Sequence, residues 1–299
     1  MIDLHTHSTA SDGDLAPGKL VEKAAALGIS ALALTDHDTL SGLGEAAEAA
    51  RSRNITLIPG IELEIESESR ERPGSENIAG EFHLLGLGLK SPGRVFSETL
   101  ESLAGARERR NRLMVEKMRE AGLQLDYDDI RSLAGGNIVG RPHFGRFLIN
   151  RKLVKNQEQA FKRYLSRGRP FYVPREGLAF DRAAALIHEA GGIAVLAHPM
   201  SLYAAWGRLP ALIGSLKERG LDGLEAWHPT AKLNDCKRLE ELGLSLGLRI
   251  TAGSDFHGSA RPDRKLGYTA GGRMIDDAVL DAIPELCGAS RASGLLWFQ

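Results

Sequence analysis

Residues 1–14 read MIDLHTHSTASDGD, in which a short apolar run is followed at once by two histidines and then by an aspartate. A run such as 2–4 is typical of a strand, and on a strand residues i and i+2 point to the same side. His5 and His7 can therefore direct both imidazoles towards one metal ion. The segment thus combines an apolar strand with a polar end that carries metal-binding residue types.

The same combination recurs along the sequence. Continuous apolar runs favour strands that are buried on both faces, and further runs lie at 29–34, 56–62, 82–89, 192–197, 223–227 and 249–252. Helical patterns separate many of these runs, at 17–27, 41–53, 181–190, 208–219 and 231–246. Alternating strands and helices predict an α/β barrel or a doubly wound sheet.

One region interrupts the alternation. Residues 94–175 contain no convincing strand and show helical patterns instead. We therefore predict that 1–93 and 176–299 form one metal-binding α/β domain, and that 94–175 form a helical insertion subdomain covering the active site. The polar stretch 66–81, which contains Pro and Gly, is predicted to be an exposed loop.

The overall composition excludes several classes of protein. A 299-residue chain with 42% hydrophobic residues and a net charge of −1 is neither a generally basic nucleic-acid coat nor a strongly acidic chain. Two cysteines, Cys236 and Cys287, exclude a disulfide-dense scaffold and a Cys-rich metal site. The sequence shows neither a signal-like start nor a run of roughly 20 apolar residues. We expect a cytoplasmic protein that does not bind membranes.

Imidazoles and carboxylates accompany every apolar run. The active sites of parallel barrels form where the C-terminal strand ends share one face, so these side chains are expected to converge. They are His5, His7, Asp12, Asp36, His37, Asp38, Glu62, His83, His198, Glu225, His228, Asp255 and His257. Individually, Asp36 could cap a helix and His83 could be a core histidine. Their shared position makes a metal site the better interpretation.

The kinds of residue at these strand ends also restrict the chemistry. A set of His, Asp and Glu without Cys suits Mn²⁺, Zn²⁺ or Fe²⁺ better than Cu(I). Glu62 can bridge two ions through its two oxygens. Paired ions can clamp the attacking and the leaving oxygens of a displacement.

Six segments resemble the PHP (polymerase and histidinol phosphatase) family of metal-dependent phosphoesterases; they are DLHTHSTASDG, ALTDHDTLSG, PGIELE, EFHLLGLG, AVLAHP and AGSDFHG. The resemblance implies a distorted (β/α)₇ barrel that holds two or three divalent metal ions. It also implies nine ligands, which match His5, His7, Asp12, His37, Glu62, His83, His198, Asp255 and His257. In that pattern one ion has His5, His7, Glu62 and Asp255, a second has Glu62, His83 and His198, and a third has Asp12, His37 and His257.

The helical insertion, with GRPHFGRFL at 140–148, resembles a stand-alone branch of that family. The branch includes 3′,5′-nucleotide bisphosphate phosphatases and a 5′→3′ exoribonuclease. The resemblance implies removal of the 3′-phosphate from molecules such as pAp, which yields AMP and phosphate, and trimming of short RNA from the 5′ end. Mn²⁺ is the expected ion, with Zn²⁺ and Fe²⁺ as alternatives.

Charge is divided unevenly along the chain. Residues 94–175 hold 18 Lys and Arg against 9 Asp and Glu, whereas the remainder holds 20 against 30. A basic patch beside a metal site attracts a nucleotide or a short oligoribonucleotide. Arg141 and His143 are predicted to bind substrate phosphate, because Arg offers a bidentate fork. His228, at a strand end, is predicted to face the substrate or to support the ligands.

For the reaction we expect an activated water to attack phosphorus in line. Glu62 is predicted to be catalytic, together with His198 or His257 as groups that assist proton transfer, and His228 is an alternative donor. Stacking on a base is predicted for Phe144, Phe171 and Tyr172. The competing functions are a histidinol-phosphate phosphatase or other small phosphomonoesterase, a non-catalytic metal-stabilised binding module, and amide hydrolysis. No obligate protein partner is evident.

Overall fold

The computed structural model describes residues 1–66, 78, 80–134, 138–174 and 177–287. Seven strands pair in chain order, namely β1 Ile2–Asp3, β2 Ala31–Leu34, β3 Thr56–Glu64, β4 His83–Leu87, β5 Ile193–Leu196, β6 Gly223–Trp227 and β7 Arg249–Ala252. The sheet curls into a nearly closed barrel, because Leu4 N donates to Ala252 O (3.3 Å) and Thr6 bridges Phe256. The predicted barrel is confirmed, and the doubly wound alternative is wrong.

The helices are α1 Pro17–Ala26, α2 Leu43–Arg53, α3 Arg94–Glu120, α4 Tyr127–Arg131, α5 Arg141–Asn150, α6 Gln157–Ala160, α7 Phe180–Glu189, α8 Leu209–Glu218, α9 Leu233–Ser245, α10 Ala278–Asp281 and α11 Pro284–Cys287. A small hairpin pairs β8 Tyr268–Thr269 with β9 Arg273–Met274. No helix in the described part of the chain combines the length and the apolar composition that crossing a bilayer requires.

Both faces of the strands are buried, as their continuous apolar sequences predict. In β2, Ala31 and Ala33 belong to a cluster built from residues of most of the barrel strands. The alternate residues Leu32 and Leu34 belong to a second cluster, which they share with Leu20 of α1. The period-two alternation of side chains thus places one set inside the barrel and the other under the helices.

One strand departs from the parallel arrangement that the sequence suggested. β4 runs antiparallel to both β3 and β5, with Leu85 opposite Glu62 and Leu84 opposite Leu196. Its first residue, His83, therefore lies at the end of the barrel where the neighbouring strands finish. The expectation that the strands are parallel is wrong for β4, and its reversal is what brings His83 to the polar end. The predicted exposed loop at 66–81 falls mostly outside the described residues.

Helices α3 to α6 follow β4 and have a hydrophobic core of their own. Met114, Phe144, Leu148 and Phe171 belong to a cluster distinct from those of the barrel. The 27-residue helix α3 reaches both regions, because Phe96 near its start packs in a barrel cluster. The division of the chain at 94 and 175 stays a prediction.

Candidate metal centre

Nine side chains meet at the polar end of the barrel, and we call them the ligand cluster. Each has an atom within 4.0 Å of another member. The structure thus brings together all the predicted ligands, namely His5, His7, Asp12, His37, Glu62, His83, His198, Asp255 and His257. Most are deeply buried, and Asp12 and His37 are partly exposed.

Glu62 of β3 lies at the centre of the ligand cluster and is 1% exposed. Its Oε1 lies 2.8 Å from His83 Nδ1 and 2.9 Å from His198 Nε2. Its Oε2 faces three further imidazoles at 3.1 to 3.4 Å, those of His5, His7 and His37. The two oxygens therefore face different groups of imidazoles, which is the arrangement that a bridging carboxylate needs.

Asp255 follows β7 and divides its two oxygens in a similar way. Its Oδ1 lies 3.2 Å from His7 Nε2 and 3.4 Å from His5 Nε2. Its Oδ2 lies 3.1 Å from His228 Nε2 and accepts from the Arg264 guanidinium. His228 and Arg264 thus hold one oxygen in place while the other faces the imidazoles.

Asp12 lies on the loop that follows β1. Its Oδ1 is 3.2 Å from His257 Nε2 and 4.0 Å from His37 Nε2. Asp36 fixes this loop, because its carboxylate accepts from Ser8 N (2.8 Å) and from the hydroxyls of Ser8 and Ser11 (2.6 Å each). Asp36 is therefore a loop organiser, since the next helix begins only at Leu43.

Three groups of donor atoms lie close enough together to share an ion, with all atoms in a group within 4.8 Å of one another. The groups are His5, His7 and Asp255; His7, Asp12, His37 and His257; and His37, Glu62 and His83. These groups share most of their members with the three ligand sets that the family resemblance implies. They differ from those sets in that His7 and His37 each belong to two groups. His198 adjoins the third group through its contact with Glu62.

Three buried atoms of the ligand cluster have no hydrogen-bond partner among the described residues. They are His7 Nδ1, His37 Nδ1 and Glu62 Oε2. Burial of an unpaired polar atom costs free energy, and a bound cation would recover that cost at Glu62 Oε2. Since carboxylates and imidazoles are the donors that borderline divalent ions prefer, the residues present fit such ions.

Glu225 of β6 orients two of the imidazoles from behind. Its Oε1 lies 3.0 Å from His5 Nδ1, and its Oε2 accepts from His198 N at 2.7 Å. The contact holds a proton on His5 Nδ1 and leaves Nε2 to bind an ion. Sequence reasoning noted Glu225 at a strand end but did not select it, and Arg264 carried no sequence signal at all.

Two further histidines also carry their proton on Nδ1 and leave Nε2 bare. His198 Nδ1 lies 2.6 Å from Ser201 Oγ, and that hydroxyl donates to the Glu81 carbonyl, so the imidazole must donate from Nδ1. His257 Nδ1 lies 2.8 Å from the Asp255 carbonyl, which can only accept. In both residues the bare Nε2 points into the ligand cluster, as a metal ligand requires.

Backbone strain is concentrated at the same end of the barrel. Asp38, His198 and Asp255 all have positive φ, at 50°, 28° and 51°. Residues other than Gly adopt such angles at a cost of roughly 1–3 kcal/mol, and they cluster at functional sites. The surrounding hydrogen bonds of Glu225 and Arg264 oppose relaxation of His198 and Asp255.

The imidazoles and carboxylates shift each other's pKa values. Burial by itself lowers the pKa of His5, but Glu225, Asp255 and Glu62 raise it well above its ordinary value. Burial likewise opposes protonation of His7, whereas the carboxylates of Asp255 and Glu62, each 3.2 Å from its Nε2, raise its pKa to about 9. Positive charge is therefore favoured among these side chains, and divalent cations would supply it.

The sequence predicts that His228 faces the substrate or supports the ligands, and the structure places it behind Asp255. It is 2% exposed. Its Nδ1 accepts from Thr230 N (3.3 Å), so Nε2 carries the proton and donates to Asp255 Oδ2. These contacts are those of a residue that positions Asp255, and substrate binding by His228 stays a prediction.

Arg141 and His143 lie at the start of α5, where Arg141 pairs with Glu81 and the charge of Asp12 reaches His143. Arg141 Nη2 is 3.2 Å from Glu81 Oε1, and His83 and His198 help to lower the pKa of that carboxyl against the effect of burial. His143 Nδ1 accepts from Gly140 N at 2.9 Å, which leaves a proton on Nε2. Burial lowers the pKa of His143, while the charge of Asp12 acts to raise it.

The prediction of base stacking is wrong for two of its three aromatic residues. Phe144 is 0% exposed and Phe171 is 4% exposed, and both belong to the core of helices α3 to α6. Phe171 stacks on Tyr164, with ring centroids 5.1 Å apart. Tyr172 is partly exposed, so the proposed contact with a base remains open for that residue only.

Comparisons with known proteins agree with this geometry. Residues 3–168 match the PHP domain family. A 5′-3′ exoribonuclease from Haemophilus influenzae is 37% identical over 257 residues, covering 85% of this chain and 89% of the relative. A 3′,5′-nucleoside bisphosphate phosphatase from Chromobacterium violaceum is 33% identical over 269 residues, covering 90% and 91%.

Two solved structures share the fold along nearly the whole chain. An amidohydrolase from Chromobacterium violaceum, with bound sulfate and no metal, has a TM-score of 0.80 at 31% identity, covering 92% of this chain and 91% of that one. A Bifidobacterium adolescentis protein assigned to the metal-dependent phosphoesterases has a TM-score of 0.80 at 27% identity, covering 97% and 96%. The chain belongs to the PHP domain family and is a metal-dependent hydrolase that acts on phosphoester bonds.

Proposed function

We propose that the chain removes the 3′-phosphate from 3′,5′-bisphosphorylated nucleotides such as pAp, which yields AMP and phosphate, and that it also shortens short RNA from the 5′ end. The observation that carries this proposal is the position of Arg141 and His143 beside the ligand cluster. A nucleotide with two phosphates can place one phosphate on the ligand cluster and the rest against a basic surface. The names of the two curated relatives support both activities.

Two or three divalent ions are part of this proposal, with Mn²⁺ as the preferred ion. Glu62 with His5, His7 and Asp255 would hold one, Glu62 with His83 and His198 a second, and Asp12 with His37 and His257 a third. Bound ions of this kind lower the pKa of water and offset the charge of a phosphate.

The chain's own side chains would have separate roles in binding and positioning. Glu62 keeps two groups of imidazoles at fixed separation, which makes it the central catalytic residue of the proposal. His198 and His257 present bare Nε2 atoms to the cluster, which favours ligand roles over proton donation for both. His143 carries its proton on Nε2 and can donate a hydrogen bond to a phosphate oxygen. Arg141 can bind two phosphate oxygens at once.

One experiment separates the candidate substrates. The full chain is loaded with Mn²⁺ and incubated with pAp, with a short 5′-phosphorylated RNA and with histidinol phosphate, and released phosphate and nucleotides are measured. We expect phosphate and AMP from pAp, mononucleotides from RNA, and slower release from histidinol phosphate. Fastest turnover of histidinol phosphate would instead favour a small phosphomonoesterase. The names of the curated relatives, an exoribonuclease and a bisphosphate phosphatase, support phosphoester hydrolysis over a non-catalytic module and over amide hydrolysis.

A further inference from the structure

The barrel closes where residues 2–7 meet residues 252–256, and we call this line the seam. Two ligands lie opposite each other across it. Asp255 N donates to the carbonyl of His5 at 2.9 Å, and Asp255 Oδ1 lies 3.4 Å from His5 Nε2. The way in which the first and last strands meet therefore sets the separation of these two ligands.

Asp3 is a buried carboxylate on the seam, and it is 0% exposed. Its Oδ1 accepts from Ser254 N at 2.9 Å and from His5 N at 3.3 Å, and its Oδ2 accepts from Gly267 N at 2.8 Å. A carboxylate is costly to bury unless its oxygens accept hydrogen bonds. Here three backbone amides supply those bonds.

The three amides belong to three different segments, and each segment carries part of the metal centre. The first amide is that of a ligand, His5. The second directly precedes Asp255 in the chain, and the third belongs to Gly267, three residues after Arg264. Since the Arg264 guanidinium contacts Asp255 Oδ2, Asp3 is connected to both ligands of the seam and to the loop that holds one of them.

The main chain beside these amides has little freedom. Asp255 has a φ of 51°, which costs free energy in a residue other than Gly and must be maintained by its surroundings. On the preceding side, a Cβ added at Gly253 would lie 2.3 Å from the Cβ of His5. A small displacement across the seam would therefore change how His5 and Asp255 face an ion.

We propose that Asp3 is a positioning residue of the metal centre, which fixes the separation of His5 and Asp255 by accepting hydrogen bonds from both sides of the seam. It acts through the backbone and contacts neither ion nor substrate. The donor group most affected is the one formed by His5, His7 and Asp255. The inference concerns how ions are held, so it does not depend on the proposed nucleotide specificity.

The test is Mn²⁺ binding to the full chain, measured by titration calorimetry together with the number of ions retained per chain. Asp3→Ala removes all three acceptor contacts. We expect affinity for one of the ions to fall about tenfold or more, the scale on which residues that orient metal ligands act. At a Mn²⁺ concentration that saturates the wild type, the variant should retain about one ion fewer.

Asp3→Asn separates hydrogen bonding from charge. The amide keeps one acceptor oxygen for Ser254 and His5, and it loses the acceptor for Gly267. Both variants remove the same negative charge, so a difference between them measures the hydrogen bonds across the seam. We expect the loss of Mn²⁺ affinity to be smaller in Asp3→Asn than in Asp3→Ala.

Leu216→Ala is the control for a general loss of stability. Leu216 of α8 is 1% exposed and packs in a hydrophobic cluster that contains no residue of the seam. The cavity should lower the stability of the barrel, and the number of ions and their affinities should stay at the wild-type level.

Two results would overturn the proposal. A folded Asp3→Ala protein that binds the same ions with wild-type affinity shows that the seam does not need the carboxylate. Equal losses in Asp3→Ala and Asp3→Asn show that the negative charge matters and the hydrogen bonds do not. Where Asp3→Ala does not fold, Asp3→Asn decides, and unchanged binding of Mn²⁺ overturns the proposal equally.

Discussion

The end of the barrel and the helices that follow β4 hold their charges in different ways. In the ligand cluster, carboxylates and imidazoles contact each other directly, and side chains such as Glu225 fix them from behind. On the helices that follow β4, Arg107 and Arg141 contact the carboxylates of Asp38 and Glu81, which lie outside those helices. The barrel therefore contains a complete set of metal donors, whereas the helices contribute cations. Under the proposed function, this division would separate bond cleavage from the recognition of the substrate.

Glu62→Ala tests whether the ligand cluster acts as one unit, and we expect the largest effect from it. Both carboxylate oxygens face imidazoles, at 2.8 to 3.4 Å, so their loss would separate the ion sites. We expect loss of bound Mn²⁺ and a fall in turnover of roughly a thousandfold or more, the scale on which essential groups act. Metal analysis and phosphate release measure the two effects.

The control for that substitution is Glu98→Ala. Glu98 is 57% exposed on α3 and pairs only loosely with Arg94, so both readouts should stay at the wild-type level. Full metal content and normal activity in Glu62→Ala would contradict the bridging role.

Arg107→Met breaks the contact between the two regions. The Arg107 and Asp38 side chains are 7% and 4% exposed, and loss of one partner of a buried ion pair costs about 3–5 kcal/mol. We expect the free energy of unfolding in urea to fall by about 3 kcal/mol.

The double variant Arg107→Met with Asp38→Asn is informative because it removes both charges. It should recover part of the lost stability, since no uncompensated carboxylate remains. A single variant as stable as the wild type would show that the ion pair does not hold the two regions together.

Much of the barrel was predictable because both faces of its strands are buried. Runs such as 31–34 and 193–196 are apolar at every position, which distinguishes them from surface strands. The direction of β4 was not predictable, because an apolar run has the same pattern in either orientation. His83 was found by residue type, although its place at the polar end depends on the reversal of the strand.

The residues that hold the ligands were harder to find than the ligands. Glu225 follows the strand pattern, but Arg264 lies in a loop and reaches Asp255 only through the fold. Arg107 and Arg110 lie in the basic sequence ARERRNR, which is typical of a solvated helix face. The available signal was their spacing, because they continue the stripe of Met114 and Met118 at intervals of three and four residues.

Lower pH should weaken the metal centre. Contacts with carboxylates raise the pKa of His5 well above its ordinary value and that of His7 to about 9, against the effect of burial. Without ions the protonated forms of both imidazoles are favoured, so protons must leave before an ion can bind. Apparent affinity for Mn²⁺ should therefore rise about tenfold per pH unit for each proton released.

Metal content after dialysis at about pH 6 and about pH 8, with calorimetry in two buffers to count protons, measures this dependence. Equal retention at both pH values would contradict it. The stability of the ion-free chain should show the opposite pH dependence, because of His7. A raised pKa contributes stability below about 6.5, the ordinary value, and that contribution is lost as the pH rises through about 9.

Arg141→Ala tests the role of the cationic side chains on the helices that follow β4, and we expect the smallest effect from it. The pair with Glu81 is partly exposed, at 19% and 49%, so its loss should change stability by less than about 1 kcal/mol. The variant therefore isolates binding. We expect KM for pAp to rise about tenfold, the scale of one charged hydrogen bond, and KM for p-nitrophenyl phosphate to rise less, because that substrate has no second phosphate. Equal increases in KM for both substrates would mean that Arg141 contacts the phosphate that is hydrolysed. Arg141 would then not be specific for the second phosphate of the nucleotide.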